Sequence, residues 1–251
     1  LITELGIKDA ELLSVDGQVL AVDVYSPSDI PSYPNSAMDG YAVQSGSLKD
    51  ASDKCPITIK VTGELRAGDL PAYIVGPANS VRVMTGAPLP EGADSVVPFE
   101  FTDETARLLV KNSLDEITIQ HPPHPGDHVR PAGEDVRKGA RVLTKGKVLD
   151  PPAIGALASV GHDRVRVVRR PRVAILATGD ELQKPGEKLK PGHIYDINSF
   201  AIATLVKRYG GLPVLVGVAK DNLDDLRIKI KEALNSDLLI TSAGVSRGKY
   251  D

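Results

Sequence analysis

The chain has 251 residues, of which 41% are hydrophobic and 25% charged, and its formal net charge is −3. This is the composition of a soluble globular protein with room for two or three domains, and it provides no basic field for nucleic acid. No stretch approaches the ~20 consecutive apolar residues of a membrane helix. The single cysteine, Cys55, cannot form an internal disulfide, so a reducing, cytoplasmic setting without membrane or nucleic-acid partners is expected.

In chain order, residues 1–13 allow a short helix, with Gly6 as its weak point. Residues 18–24 read as a strand. Pro27, Pro31 and Pro34 then predict an extended connector, because proline lacks a backbone donor and restricts the residue before it. The connector delivers Asn35-Ser-Ala-Met-Asp-Gly-Tyr-Ala-Val43, in which Asp39-Gly40 alone is a turn signal.

Residues 54–120 read as a compact β module of barrel or sandwich type. Its β-prone runs are 56–62, 80–84, 95–100, 106–111 and 116–120, punctuated by glycines. Thr85-Gly-Ala-Pro88 ends one run and offers a hydroxyl and an unhindered amide. His121, His124 and His128 lie among Pro122, Pro123 and Pro125. Without cysteine or clustered carboxylates nearby they read as a solvated loop, not a zinc site.

Residues 136–148 read as turn-linked short strands. Asp150-Pro-Pro152 opens a helix by N-capping, with Gly161 at its end and Ile154, Leu157, Ala158 and Gly161 on one face. Arg164, Arg166, Arg169, Arg170 and Arg172 alternate with valines. They read as an exposed strand and linker, since no aromatic platform for single-stranded nucleic acid accompanies them.

The last third alternates continuous apolar runs with helical patterns, the signature of a parallel sheet buried on both faces. The runs are 172–178, 212–219 and 237–242. The helical stripes are Ile202, Leu205, Val206 and Tyr209, then Leu223, Leu226, Ile230 and Leu234. Three strands make a thin sheet, and more chain beyond Asp251 is expected in the natural protein. Ligands of such sheets bind beyond the carboxyl ends of the strands. Here those ends carry Gly179-Asp-Glu181, Asp221, and Gly244-Val-Ser246 through Asp251.

Carboxylates stand beside loop glycines repeatedly: Asp39, Asp135, Asp180, Glu181, Asp221 and Asp251. Asp221, ahead of Leu223-Asp-Asp-Leu226, reads equally as a helix cap or a ligand. Mg²⁺ beside a phosphorylated ligand uses one or two carboxylates plus phosphate oxygens. Gly244, Ser246 and Gly248 after a strand suit an anion cradle of backbone amides. Neither a P-loop nor a Gly-x-Gly-x-x-Gly fingerprint is present.

Six motifs now stand in order. They are Ser36-Ala-Met-Asp-Gly-Tyr-Ala-Val43, Met84-Thr-Gly-Ala-Pro88, Arg130-x-x-Gly-Glu-Asp-Val136, Ala177-Thr-Gly-Asp-Glu-Leu182, Asp196-x-Asn198 and Thr241-Ser-Ala-Gly-Val-Ser246. Together they resemble the molybdopterin molybdenumtransferase family, of the MoeA and gephyrin E-domain type, along the whole chain. The resemblance implies an α/β plus β multidomain fold. A split N-terminal domain (1–40 and 127–170) would carry an inserted β-rich module (41–126), followed by a MogA-like parallel-sheet α/β domain (171–251) that is incomplete here. It implies insertion of molybdate into adenylylated molybdopterin with Mg²⁺-dependent release of AMP. A pterin-binding scaffold without turnover and a tungstate-inserting paralogue are the alternatives.

By the same resemblance, Asp39, Thr85, Asp135, Glu181 and Asp251 would be catalytic. Gly179, Asp180, Ser242, Gly244, Ser246 and Gly248 would bind substrate, and Asp180, Glu181, Asp221 and Asp251 would hold Mg²⁺. The partners implied are a pterin nucleotide, an oxyanion and a second copy, in a homodimer whose site is shared between subunits. Two departures stand out: Ala243 replaces a usual glycine, and Arg247 and Lys249 flank Gly248.

Overall fold

A computed structural model of the chain describes residues 3–111 and 113–242. The chain forms two compact units: one runs continuously from Val24 to Val142, and the other is assembled from the chain on either side of it.

In the assembled unit, the N-terminal segment is a strand, Ile7–Glu11, followed by a single 3-10 turn, Leu12–Ser14, and not the helix expected for residues 1–13. The reason lies across the sheet. The strand pairs antiparallel with Arg164–Val168, setting Asp9 opposite Arg166 and Glu11 opposite Arg164. Arg164 reaches both Asp9 (3.6 Å) and Glu11 (3.4 Å). Opposite charges in cross-strand register outweigh a local helical pattern. The expected strand at 18–24 is also cut short. Val19 and Leu20 make isolated bridges to Val148 and Val167, and only Val24–Tyr25 is a strand.

The helix Pro151–Ser159 forms as its cap predicts, with Asp150 Oδ1 accepting from Ala153 N at 2.9 Å. Its buried face is Ala153, Leu157 and Val160, a stripe displaced from the one expected. Between 136 and 148 only Arg141–Leu143 is a strand, with Val136 and Val148 in isolated bridges.

The α/β part is a three-stranded parallel sheet in the order Leu212–Ala219, Arg172–Thr178, Leu238–Ser242. Residues 173–177 of the central strand are buried, as a strand covered on both faces must be. The helices Asn198–Arg208 and Leu223–Ala233 pack on the first two strands. Leu223 and Leu234, at the first position of the second helix and just past its last, are exposed rather than sheet-facing. Tyr209 is exposed as well.

The continuous unit is built on a single five-stranded mixed sheet, not the paired sheets of a sandwich. Its order is Ser95–Pro98, Gly40–Val43, Asn79–Val83, Ile57–Leu65, Glu116–Ile119. Only the pairing of Ile57–Leu65 with Asn79–Val83 is parallel. Alternation along the strands feeds two cores. Tyr41, Val43, Val97 and Ile59 enter one, and Ala42, Val96, Val81 and Val83 the other.

The β-prone run 106–111 belongs instead to a helix, Glu104–Lys111. Thr102 Oγ1 accepts from Glu104 N (3.2 Å), and Arg107 Nε donates to Asp103 Oδ2 (2.6 Å) one turn away. Leu109 and Val110 are exposed, so no packing draws them into a sheet.

Candidate active site

In the continuous unit the organising group is the Asp39 carboxylate. Its Oδ1 accepts from both the amide and the hydroxyl of Thr85, each at 2.7 Å. These two donors hold the Asp39 carboxyl below its ordinary range, with a smaller contribution from the positive charge of Arg82. Gly40 does not make a turn. It begins the strand Gly40–Val43, and a Cβ there would lie 2.1 Å from Val97 O. Glycine is required by the close approach of a neighbouring backbone, and this contact sets where Asp39 emerges.

The Thr85 loop is stitched to the segment before Asp39. Gly86 N donates to Ser36 O (2.8 Å) and Ser36 N to Ala87 O (2.9 Å). Asn35–Ser36 also pairs with Val129–Arg130. Arg130 Nη2 donates to both oxygens of Asp135 at 2.9 Å, while its Nε donates to Glu134 at 2.6 Å. Asp39 and Thr85 therefore touch, and Asp135 is anchored through the strand beside them.

Under the loop lies a network that pattern reading missed. Glu104, nearly buried, accepts from the Tyr41 hydroxyl (2.6 Å) and from Arg82 Nη2 (2.8 Å). Burial first, and then the hydrogen bond to Glu104 and its charge, push the Tyr41 hydroxyl above its ordinary range. Arg82 Nη1 also points at Met84 Sδ (3.5 Å), one residue before Thr85. The only sequence signal was an arginine at an inward strand position.

In the assembled unit, the central strand ends at Thr178 and Gly179 turns the chain at φ +145°. A Cβ on Gly179 would come within 2.6 Å of Glu181 Oε2, so glycine keeps that carboxylate folded back against the turn. Asp180 and Asp221 stand at the ends of the two neighbouring parallel strands and bind each other reciprocally. Asp180 N approaches Asp221 Oδ2 at 3.4 Å, and Asp221 N approaches Asp180 Oδ1 at 3.3 Å.

Asp221 is not the helix cap. Asn222 takes that role, its Oδ1 accepting from Asp225 N (2.9 Å) while Asp225 Oδ2 accepts from Lys220 N (2.8 Å). The Asn-x-x-Asp spacing was the available signal, although Asp225 reaches the amide of Lys220 and not that of Asn222. Asp221 instead turns its carboxylate to the backbone amide of Asp180.

Ser242 Oγ, at the end of the third strand, accepts from Asn198 Nδ2 at 3.0 Å. That contact ties the Asp196-x-Asn198 motif to the strand ends. Gly244, Ser246, Gly248 and Asp251, with Ala243, Arg247 and Lys249, lie outside the described residues. Among the described residues, no three His, Cys, Asp or Glu side chains converge as a metal set. Asp180 and Asp221 nonetheless bring two carboxylates, and no softer donor, to neighbouring strand ends. That set fits a hard cation that completes its shell with phosphate oxygens and water.

Within the arginine run 164–172, Arg169 and Arg170 are engaged by their side chains and Arg172 by its backbone amide. Arg169 forms a two-pronged pair with Asp237 (2.6 and 2.5 Å), which also accepts from Arg172 N, and Arg170 donates to Asp16 O. The histidines meet carboxylates singly: His121 lies 3.9 Å from Asp53, and His124 lies 3.4 Å from Asp127.

Residues 2–161 match the profile of the MoeA N-terminal region (domain I and II), and residues 174–251 match that of a probable molybdopterin binding domain. The chain is 37% identical over 241 residues to "Molybdopterin molybdenumtransferase 2" of Mycobacterium tuberculosis, covering 96% of this chain and 58% of that protein. It is 38% identical over 242 residues to "Molybdopterin molybdenumtransferase" of Nostoc sp., covering 96% and 54%. A solved structure of a molybdopterin biosynthesis moea protein from Pyrococcus horikosii superposes with a TM-score of 0.84 at 36% identity, covering 96% of this chain and 60% of that one. The chain thus spans little more than half the length of the relatives it matches.

Proposed function

This chain belongs to the MoeA family, and from that premise we propose that the intact protein inserts molybdate into adenylylated molybdopterin and releases AMP. The observation that carries the reading is the Asp180–Asp221 pair at the carboxyl ends of adjacent parallel strands, where such sheets take their ligands. Each carboxylate is turned to the other residue's backbone amide, and a cation bound at these strand ends would offset the negative charge they bring there. The substrate is itself a phosphate anion. Mg²⁺, when bound, offsets the phosphate charge and polarises the P–O bond that breaks.

Asp180 and Asp221 hold that ion, with Glu181 folded beside them and Asp251 as a further ligand. Gly179 and Ser242 border the substrate on this side, and Gly244, Ser246 and Gly248 cradle its phosphate. Asp39, held ionised by Thr85, together with Asp135 serves the cleft from a second subunit of a homodimer in the cytoplasm. On this reading the domains are 1–40 with 127–170, 41–126, and 171 onward.

The test is AMP release by the intact protein given adenylylated molybdopterin, Mg²⁺ and molybdate, beside Asp180→Asn and Asp221→Asn. Release should require the oxyanion and fall by about a hundredfold in each variant, the scale expected when one group meeting reaction charge is lost. Pterin binding with no AMP from any of the proteins would replace the enzyme with a scaffold. Release with tungstate alone would replace molybdate as the substrate.

A further inference from the structure

Beneath the Asp39–Thr85 contact, the strand Asn79–Val83 pairs antiparallel with Gly40–Val43 in the register Gly40↔Val83 and Tyr41↔Arg82. Side chains two residues apart on a strand share a face. Tyr41 and Arg82 lie side by side, both reaching Glu104. Asp39 stands two residues from Tyr41, and Met84 two residues from Arg82. Thr85, next in the chain, closes this ladder by donating its amide and hydroxyl to Asp39 Oδ1.

Arg82 is held from three sides. Glu104 grips it with both oxygens, Oε1 accepting from Nη2 (2.8 Å) and Oε2 from Nε (3.3 Å). Glu64, on the neighbouring strand Ile57–Leu65, stands 3.5 Å from Nη1 and is itself paired with Arg66. The same Nη1 lies 3.5 Å from Met84 Sδ. The planar fork, engaged at two points by Glu104, fixes the direction of that reach toward Met84. A buried ion pair is weak evidence for stability, because apolar side chains of like volume often hold an interior as well. A permanent positive charge behind a carboxylate does what an apolar pair cannot, since it favours the ionised form. Arg82 is among the groups that hold the Asp39 carboxyl below its ordinary range.

We propose that Arg82 is a positioning residue for the reaction: clamped by Glu104, it fixes Met84, and through it the Thr85 donors, against Asp39, and its charge backs that carboxylate. It acts through these neighbours and not on the substrate. Glu104 is the second half of the device, because it sets where the guanidinium lies, and Tyr41 steadies Glu104 in turn. The catalytic consequence rests on the proposed function; the effect on Asp39 does not.

The experiment replaces the buried pair as a unit in the intact protein, Arg82→Met with Glu104→Gln, so that neither charge is left unpaired and Tyr41 keeps an acceptor. Circular dichroism checks the fold, carbon-detected NMR follows the Asp39 carboxyl, and AMP release is measured against substrate concentration. In the folded double variant kcat should fall at least about tenfold, KM should stay within about twofold of the parent, and the Asp39 carboxyl should titrate above its parental value. Arg82→Lys keeps the charge and loses the fork, so it should lower kcat by a smaller factor at unchanged KM. Parental kcat in the folded double variant would sink this inference and leave the function standing, and an unmoved Asp39 carboxyl would overturn it as well. Should the double variant not fold, Arg82→Lys decides alone, with parental kcat overturning the proposal and a lowered kcat at unchanged KM upholding it. A parent that releases no AMP would refute the function, and the Asp39 titration, read without substrate, would then decide this inference by itself.

Discussion

Replacing Glu104 by alanine should destabilise the continuous unit by about 3–5 kcal/mol, the range for removing one partner of a buried ion pair. The side chain is 6% exposed and Arg82 is 17% exposed. Its loss removes the acceptor of the Tyr41 hydroxyl at 2.6 Å and the nearest anion of Arg82 at 2.8 Å. The orphaned hydroxyl alone, on a fully buried ring, costs about 1–3 kcal/mol. Glu64, 3.5 Å from Arg82, offsets part of the stranded charge, which places the total near the lower end of the range. Glu104→Gln keeps an acceptor for Tyr41 and should cost about half as much, while Tyr41→Phe should cost about 1 kcal/mol. Urea unfolding followed by circular dichroism measures all three, since the chain contains no tryptophan. A Glu104→Ala variant within about 1 kcal/mol of the parent would show that the network does not hold this unit together.

Asp39 should report its donors by pH. Its folded carboxyl titrates below the ordinary 3.8, so the stability it contributes is complete above that pH and disappears as pH falls through the folded value. Carbon-detected NMR titration should show that carboxyl moving up in Thr85→Val, and no movement would remove Thr85 as the cause. Gly40→Ala sets a methyl 2.1 Å from Val97 O and should cost about 3 kcal/mol or more, visible as a lowered melting temperature. Gly179→Ala should leave the fold near native by circular dichroism but displace Glu181 and reduce AMP release at least about tenfold. Unchanged release there would mean that the Glu181 position is immaterial.

The elements read well from the chain were those in which local and tertiary preferences agree. The runs at 172–178 and 212–219 are strands, and Asp150 caps its helix, because burial, β-branching and capping chemistry point one way. The failures share a cause. Ile7–Glu11 pairs with a strand far along the sequence, and its charges make sense only opposite Arg164 and Arg166. Residues 106–111 look β-prone until the capping hydroxyl of Thr102 is seen. The carboxylates of the candidate site were legible as acidic residues beside glycines. What joins them was not: the reciprocal amides of Asp180 and Asp221 span a crossover, and Gly40 answers to a backbone on another strand. Asn222 displaced Asp221 as the cap because the two are adjacent and only geometry decides which one turns inward.

The pairing of Ile7–Glu11 with Arg164–Val168 also bears on how the chain is made. Glu11 and Arg164 are 153 residues apart. At a synthesis rate of roughly 5–20 residues per second, the first strand waits about 10–30 s for its partner to leave the ribosome. During that interval the stretch from Val24 to Val142 emerges complete, with its own cores. The nascent chain therefore carries a folded body behind a charged strand that is still unpaired. Asp9 and Glu11, which later meet arginines, meanwhile keep that bare edge from pairing with its copy on a neighbouring ribosome.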